Sequence, residues 1–314
     1  MATYKDIHGY KVQSRASDPT VDEGQIWYNT TSSALKYDAI GAGSWSAGGT
    51  MNTGREGGGT GFGTQTAGVA AGGGPSPTAV EEYNGIGWTT VTSLPSAGGQ
   101  GGTFGSQTAG VAVGIFGTST KAMSYNGTGW TEINAYNSAR TTGCGAGIQT
   151  AGLYIGGGPG SALVEEYNGS TWSEKGDLND GRRQASSGGG VTAAMLCGGA
   201  EGSPATVPTQ TETYDGTSWT AASPLNTGRG YLTGGGESDD AITFGGGPPI
   251  LDKTEKWNGS SWTEVADMST ASETSFGTCP GAGSLTYRAR TPGNTGTTEE
   301  WDNSPAVVKT VTVS

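Results

Sequence analysis

The sequence predicts an all-β fold built from repeats of one four-stranded sheet. A phrase of the form Tyr-(Asn/Asp)-Gly-x-x-Trp occurs at residues 83–88, 125–130, 167–172 and 214–219, and again at 257–262 with Trp in place of Tyr. Its final tryptophans are 42, 42, 47 and 43 residues apart, and a period in the forties indicates a repeat architecture. Glycine accounts for 60 of 314 residues and interrupts every candidate segment, while the 3.6-residue periodicity of helices is absent.

Each repeat predicts four short strands. Asn-Gly or Asp-Gly between two apolar runs is typical of a tight hairpin whose two turn residues adopt positive φ, so the Tyr ends a third strand and the Trp begins a fourth. An apolar second strand lies upstream, as in residues 65–74, and a Gly-rich first strand precedes it, as in residues 61–63. Four antiparallel strands in every forty-odd residues are typical of a β-propeller blade.

The repeats predict six blades over residues 51–314. The first-and-second strand pairs begin near residues 60, 102, 144, 187, 231 and 275. In the last blade we expect strands at residues 276–280, 284–288, 299–302 and 307–313. A further pair, residues 35–38 with Trp45, either completes that blade and closes the ring or forms a separate hairpin. Residues 1–50 are expected to be an N-terminal anchoring segment with a short hairpin.

Composition excludes several functions and predicts the core. The net charge of −12, with 16 Lys and Arg, argues against a nucleic-acid-binding surface. The sequence contains no run of 18 apolar residues, so no membrane span is predicted, and no secretory signal is recognisable. Large aliphatic residues are few, so the 9 Trp and 12 Tyr are expected to hold neighbouring blades together.

The polar residue types argue against an enzyme. The single histidine, His8, lies outside the repeats, so we expect no Ser-His-Asp triad, no His-ligated metal and no cofactor in the propeller. The three cysteines, Cys144, Cys197 and Cys279, fall in different blades and are expected to be free, buried thiols assembled in a reducing cytoplasm. Glutamate pairs recur in the third strands, but adjacent strand residues point to opposite faces, which does not suit a catalytic pair.

An arginine recurs before the first strand of several blades, at Arg55, Arg140, Arg182-Arg183 and Arg229. Its simplest role is an ion pair between blades with a third-strand glutamate. The alternative is a cationic rim for an acidic sugar, because a guanidinium can bind a carboxylate through two parallel hydrogen bonds.

The repeat resembles the Kelch motif over residues 51–314: Gly-Gly ends the second strand, Tyr lies in the third and Trp in the fourth. This resemblance implies a Kelch-like β-propeller with a short N-terminal extension. Kelch-type enzymes such as galactose oxidase use His, Tyr and Cys around copper, and the lack of histidine in these repeats argues against that chemistry here.

The N-terminal segment carries a second resemblance. Residues 17–30, Ser-Asp-Pro-Thr-Val-Asp-Glu-Gly-Gln-Ile-Trp-Tyr-Asn-Thr, followed by Leu-Lys-Tyr at 35–37, look like a segment common near the N-termini of tailed-phage fibre proteins. The whole chain is similar to virion proteins of marine phages, including cyanophages. The resemblance implies a tail or fibre component, made in the host cytoplasm, that joins other virion proteins through residues 1–50. Oligomerisation is compatible with it, although no coiled-coil heptads are visible.

The expected function is non-enzymatic attachment to polysaccharide or another receptor on the host surface. Connections from second to third strand and from blade to blade share one rim of a propeller, and here they vary from repeat to repeat. Because binding residues are often found on loops held by a rigid scaffold, the sequence-predicted ligand-binding residues are Tyr136, Asn137, Arg182, Arg183 and Tyr231. Alternatives are a purely structural spacer or docking protein of the virion, an intracellular Kelch-type adaptor and a polysaccharide-degrading enzyme.

Overall fold

The computed structural model describes residues 12–18, 26–39, 43–117, 119–201, 207–273, 287–288, 296–303 and 307–310. These residues contain strands and no helix, and hence no helix that could cross a membrane. The chain divides into two compact units, which we name the ring domain (Ser44–Asp302) and the terminal domain (Met1–Gly43 with Asn303–Ser314).

The described residues form 27 strands. In chain order they are β1 (Gln13–Arg15), β2 (Ile26–Asn29), β3 (Ala34–Ala39), β4 (Ser44–Ala47), β5 (Glu56–Thr64), β6 (Ala67–Gly74), β7 (Val80–Tyr83), β8 (Trp88–Thr90), β9 (Gly102–Ser106), β10 (Ala109–Val113), β11 (Ala122–Tyr125), β12 (Trp130–Ile133), β13 (Cys144–Ile148), β14 (Ala151–Ile155), β15 (Val164–Tyr167), β16 (Trp172–Glu174), β17 (Ser186–Gly190), β18 (Ala193–Cys197), β19 (Thr211–Tyr214), β20 (Trp219–Ala222), β21 (Thr233–Gly236), β22 (Ala241–Phe244), β23 (Thr254–Trp257), β24 (Trp262–Glu264), β25 (Tyr287–Arg288), β26 (Glu299–Asp302) and β27 (Val307–Thr310).

The terminal domain is a sheet with the strand order β1-β2-β3-β27, in which β1 runs parallel to β2. Asp18 lies at the centre of its polar contacts. Its carboxylate pairs with Lys36 Nζ at 2.8 Å and accepts hydrogen bonds from Asn29 Nδ2 at 2.5 Å and Trp27 Nε1 at 3.2 Å. The hydrogen bonds from Lys36 and Asn29 lower the pKa of Asp18. Asp18, Trp27 and Asn29 of the N-terminal phrase therefore help to hold this sheet together.

The ring domain is a β-propeller whose first five blades are four-stranded antiparallel sheets in consecutive strand order: β5–β8, β9–β12, β13–β16, β17–β20 and β21–β24. We number them blades 1 to 5. Blade 6 has the order β25-β26-β4, and β25 and β26 correspond to the second and third strands of the repeat. The expected first strand of blade 6, residues 276–280, lies outside the described residues.

The fourth strand of blade 6 differs from our expectation. We expected residues 307–313, but Val307–Thr310 pairs with β3 in the terminal domain. Instead, β4 pairs with β26, which places Trp45 opposite Trp301. The alternation of polar and apolar residues at 307–313 fits an edge of blade 6 or of the terminal sheet equally well. By contrast, β4 contains Trp45, and a tryptophan begins the fourth strand of each of blades 1 to 5. Of the two alternatives for the early strand pair, Trp45 closes the ring, and residues 35–38 form part of the separate sheet.

Side-chain contacts on both sides of blade 6 make the order of blades cyclic. Trp45 packs edge-on against Phe244 of blade 5 with ring centroids 4.9 Å apart, and its Nε1 donates to Thr254 Oγ1 at 3.0 Å. On the other side, Glu300 accepts hydrogen bonds from Gln65 Nε2 at 2.9 Å and from the Tyr83 hydroxyl of blade 1. Blade 6 therefore joins blade 5 to blade 1.

Neighbouring blades interlock through a large residue facing a glycine. The Phe62 ring of blade 1 lies over Gly110 of blade 2, and the Phe104 ring of blade 2 lies over Gly152 of blade 3. A Cβ at Gly152 would be 2.2 Å from Phe104 Cε2, so only glycine fits beneath the ring. This contact explains the glycine of the repeated Gln-Thr-Ala-Gly phrase.

The aromatic residues of the repeat act both within and between blades. The Tyr and Trp of one blade pack against each other, as in Tyr167 and Trp172 with centroids 5.0 Å apart. Phe104 of the preceding blade approaches the same tryptophan edge-on at 6.3 Å. Each of these tryptophans thus packs on its own sheet and also meets the neighbouring one, which accounts for its recurrence.

The Asn-Gly turns differ in one detail from our expectation. Only the glycine has positive φ, as in Gly85 at 88°. The asparagine instead accepts two backbone N–H groups through its side chain: Asn84 Oδ1 lies 3.0 Å from both Ile86 N and Gly87 N. This Asx turn also accommodates aspartate, which explains why Asp215 can replace asparagine in blade 4.

Candidate functional site

The inner strands of blades 1 to 5 surround a central cavity of about 540 Å³. Its walls are rich in glycine, because close approach of neighbouring inner strands leaves no room for side chains. A Cβ at Gly145, for example, would be 2.4 Å from the Thr103 carbonyl oxygen. Among the described lining residues the only charged side chain is Glu237. The side of blade 6 that would face this cavity lies outside the described residues.

Four residues line the cavity at the end where the blade-to-blade connections enter the inner strands, which we call the cavity mouth: Gln100, Thr142, Gln184 and Tyr231. Each lies two residues before the first strand of its blade, in the connection from the preceding blade. All four side chains are half-buried. They belong to the variable rim that the sequence predicted as the binding face.

Three of the mouth residues have left-handed backbone conformations. The φ angles are 59° at Thr142, 51° at Gln184 and 56° at Tyr231. Such conformations cost non-glycine residues about 1–3 kcal/mol each and are often found at ligand-binding positions. Backbone hydrogen bonds hold two of them in place, from Thr142 N to Gln100 O at 3.2 Å and from Gln184 N to Thr142 O at 2.9 Å. The mouth is therefore a strained but well-supported arc across blades 2, 3 and 4.

Beside the mouth, four of the inter-blade connections carry buried ion pairs. Arg55, Arg140, Arg182 and Arg229 pair with Glu81, Glu165, Glu212 and Glu255, respectively. Nitrogen and oxygen are 2.5–3.0 Å apart, and none of these side chains is more than 3% exposed. Each pair lies within one blade rather than between blades, which corrects the expected geometry. Because these guanidiniums are buried and paired, they do not form a cationic rim.

An asparagine three residues before each arginine completes these networks. In blade 5, Glu255 Oε2 accepts hydrogen bonds from Asn226 N and Asn226 Nδ2, both at 2.8 Å. Asn226 Nδ2 also lies 3.3 Å from the carbonyl oxygen of Trp262. The repeated Asn-x-(Gly/Ala)-Arg phrase thus binds the blade-to-blade connection to the third and fourth strands. The buried glutamates serve this structural purpose.

Blade 2 replaces the whole network by apolar contacts. Gly98 takes the arginine position and Met123 the glutamate position. Ile115 stands where blade 3 has Gly157, and both Ile115 and Leu94 are buried. A Cβ at Gly98 would be 2.7 Å from Leu94 Cδ1 and 3.2 Å from Ile115 Cδ1, so these side chains fill the space of a guanidinium.

The five sequence-predicted binding residues have different surroundings. Tyr136 is 2% exposed and its hydroxyl donates to the carbonyl oxygen of Ser119 at 2.8 Å. Asn137 binds Glu165, and Arg182 is 1% exposed beside Glu212. These three hold the connections in place.

The other two predicted residues are half-buried on the variable rim. The backbone of Arg183 forms two hydrogen bonds with Ala200, at 3.1 and 2.8 Å. Tyr231 lines the cavity mouth. Sequence reasoning missed Gln100, Thr142 and Gln184, although their position two residues after the recurring arginine, or after Gly98 in blade 2, could have identified them.

The described residues hold no group of His, Cys, Asp and Glu suited to a metal ion. Cys144 and Cys197 are free and buried, as expected, while Cys279 and His8 lie outside the described residues. Cys144 lines the cavity, where its Sγ donates to the carbonyl oxygen of Ala185 at 3.1 Å. Burial raises the pKa of the Cys144 thiol to about 11 and that of Cys197 to about 12, so both are protonated at neutral pH.

Comparison with solved structures supports the fold. The chain matches YjhT, a Kelch-type propeller, with a TM-score of 0.66 at 12% sequence identity, over 83% of this chain and 99% of that one. No protein-family model and no curated protein matches the sequence. At this identity the likeness shows a shared Kelch-type β-propeller fold and carries no function across.

Proposed function

We propose that this protein is a non-enzymatic component of a phage virion, in the tail or a fibre, that attaches to polysaccharide on the host surface through its variable rim. The observation that carries the proposal is the cavity mouth. Four polar or aromatic residues, Gln100, Thr142, Gln184 and Tyr231, occupy one repeat position and line the same end of the cavity. Side chains that differ at equivalent positions of a repeat are the ones that the scaffold does not constrain.

The virion setting rests on the resemblance of residues 17–30 to fibre proteins and on the contacts of Asp18 with Trp27 and Asn29 in the sheet of the terminal domain. A compact unit separate from the ring domain suits attachment to other virion proteins. Antibodies against the terminal domain test this setting. Labelling of intact particles by these antibodies supports the virion setting. Labelling by antibodies against the ring domain alone also supports it, because the terminal domain is then buried in the particle. Absence of the protein from purified particles contradicts it.

Binding rather than catalysis is supported by how the acidic residues are used. Glu81, Glu165, Glu212 and Glu255 are buried in ion pairs, and Glu237 is the one carboxylate among the described residues that line the cavity. Glycoside hydrolysis normally needs two carboxylates that flank the scissile bond. Release of reducing ends from host envelope polysaccharide would overturn this part of the proposal.

A competition assay tests attachment itself. Purified full-length protein should reduce phage adsorption to host cells, and the Tyr231→Ala variant should compete at least ten-fold less well. The matched control is Ile86→Ser, because Ile86 is 85% exposed in a third-to-fourth-strand turn on the opposite rim. Equal competition by wild type and Tyr231→Ala, or no competition by wild type, contradicts the proposal, and the second outcome favours a purely structural spacer.

A further inference from the structure

Two glutamine side chains meet across the arc of the cavity mouth. Gln184 of blade 4 donates a hydrogen bond from Nε2 to Oε1 of Gln100 in blade 2, at 2.5 Å. The contact passes over blade 3, whose Thr142 accepts from Gln184 N and donates to Gln100 O through its backbone. The two amides are therefore held in a fixed relative orientation by the connections of three blades.

The paired amides keep hydrogen-bonding capacity for a ligand. A primary amide offers two N–H donors and an acceptor oxygen with two lone pairs, so one mutual hydrogen bond leaves a donor nitrogen on Gln100 and an acceptor oxygen on Gln184 with further capacity. A donor and an acceptor side by side match two neighbouring hydroxyl groups. Because the mutual bond and the backbone fix both amides in advance, little side-chain entropy would be lost on binding.

The described lining of the cavity offers no cation to an anionic ligand. Arg182 and Arg229, two residues before Gln184 and Tyr231, are 1% and 0% exposed and are committed to glutamates. Arg183, next to Gln184, is half-buried and does not belong to the described cavity lining. The one charged side chain among the described lining residues is the acidic Glu237, which follows β21 at the end of the cavity opposite Tyr231. The chain as a whole carries a net charge of −12. A carboxylated ligand would lose hydration here and meet no available cation in the described lining.

Tyr231 adds a flat apolar surface to this neutral polar site. It lines the cavity from blade 5 and is the only tyrosine among the described lining residues. An aromatic ring with one polar end suits the face of a sugar ring, whose C–H groups are apolar while its edges carry hydroxyls. The cavity volume of about 540 Å³ is within the usual range of small-ligand sites.

We propose that the cavity mouth binds an uncharged saccharide unit, with Tyr231 stacking on a sugar face and the amides of Gln100 and Gln184 binding adjacent hydroxyls. The inference rests on the proposed function and specifies its ligand class. Gln184 and Tyr231 both have left-handed backbones, a strained conformation that is often found at ligand-binding positions.

The test uses the full-length protein on an array in which each neutral oligosaccharide is paired with its counterpart oxidised at C6 to a uronic acid. Binding should occur to neutral members and be at least ten-fold weaker for their uronic acid partners. The strongest neutral member is then titrated against variants. We expect Tyr231→Ala and Gln184→Glu each to lower affinity at least ten-fold. Tyr231→Phe, which keeps the ring, should stay within about two-fold.

Thermal unfolding of every variant checks that the fold is kept, and Tyr231→Phe serves as a matched control even if Gln184→Glu is unstable. Preference for the acidic members, no loss on Tyr231→Ala, or no binding to any saccharide overturns the inference. Adsorption competition by the same wild-type preparation is measured separately. Competition without neutral-sugar binding rejects the ligand class alone, whereas binding without competition rejects host attachment.

Discussion

Replacing Gly152 by alanine is expected to destabilise the ring domain because Phe104 of the neighbouring blade occupies the space of the missing side chain. The new Cβ would be 2.2, 2.4 and 2.5 Å from three carbons of the Phe104 ring. Favourable carbon–carbon contacts begin at roughly 3.5 Å, so the ring or the strand must move by about 1 Å. Overpacking of a buried site costs about 1–3 kcal/mol, and we expect the upper half of that range.

The same pair predicts a compensating substitution. Blade 3 carries Ala146 where blade 2 has Phe104, and the facing residue in blade 4 is Ala194. Phe104→Ala alone should cost about 3–5 kcal/mol through the cavity that it leaves. In the double variant the methyl group of residue 152 occupies part of that cavity and no longer meets a ring. We therefore expect the double variant to be about 2–3 kcal/mol more stable than the sum of the single effects implies.

Urea unfolding followed by tryptophan fluorescence measures the four members of this cycle. The matched control is Gly129→Ala, because nothing lies within 4 Å of a Cβ at that position. That variant should be unchanged or stabilised by up to about 1 kcal/mol. Additive effects of Phe104→Ala and Gly152→Ala, within about 0.5 kcal/mol, would refute the steric account of the repeated glycine.

Three further outcomes follow from the buried polar groups and the strained mouth. Arg140→Ala should cost about 3–5 kcal/mol in urea unfolding because it leaves a buried carboxylate unpaired. Lys175→Ala, at a pair that is only partly buried, should cost at most about 1 kcal/mol. Similar costs for the two variants would contradict this ranking. Cys144 and Cys197 should resist a thiol reagent at pH 7.5 until the protein is unfolded. Burial raises their pKa values from the usual 9.0 to about 11 and about 12. Their contribution to the free energy of unfolding is therefore complete below pH 9 and is lost as the pH rises through 11 to 12. Alkaline melting curves test this sign, and stability that is unchanged up to pH 12 would contradict it. Gln184→Gly should keep or raise the melting temperature, because glycine adopts a φ of 51° without strain, while it lowers saccharide binding; a clear loss of stability would show that the side chain is needed for the fold.

Much of the ring domain could be predicted from the sequence because its repeats are local. Each Asn-Gly turn joins strands that are adjacent in the chain, so the four-strand order within a blade followed from spacing alone. Blade 6 could not be completed in this way, since its fourth strand comes from residues 44–47, far from β26 in the sequence. Two segments were compatible with the fourth strand of blade 6: the one that contains Trp45 and the alternating one at residues 307–313. Only the packing of Trp45 against Phe244 and Trp301 distinguishes them.

The candidate site was predictable in its rim and less so in its residues. We predicted Tyr136 and Arg182 because aromatic and planar polar side chains suit sugar binding. The same side-chain types also fill the space beneath a connection between blades. Tyr136 and Arg182 are only 2% and 1% exposed, so both have this structural role. Gln100 and Thr142 carry no chemical signal in the sequence. They become notable only where their backbones join in one arc around the opening.

The sequence by itself determined the all-β class, the period of the repeat and the rim on which the chain varies, because turn chemistry and strand alternation act over a few residues. Only the tertiary structure decided which strand closes the ring and which polar side chains reach the cavity. It also decided that the recurring arginines neutralise buried glutamates instead of facing a ligand. These features depend on contacts between residues that are 26 apart in the sequence, as in Arg55 and Glu81, or 256 apart, as in Trp45 and Trp301, and there space and burial determine the partner.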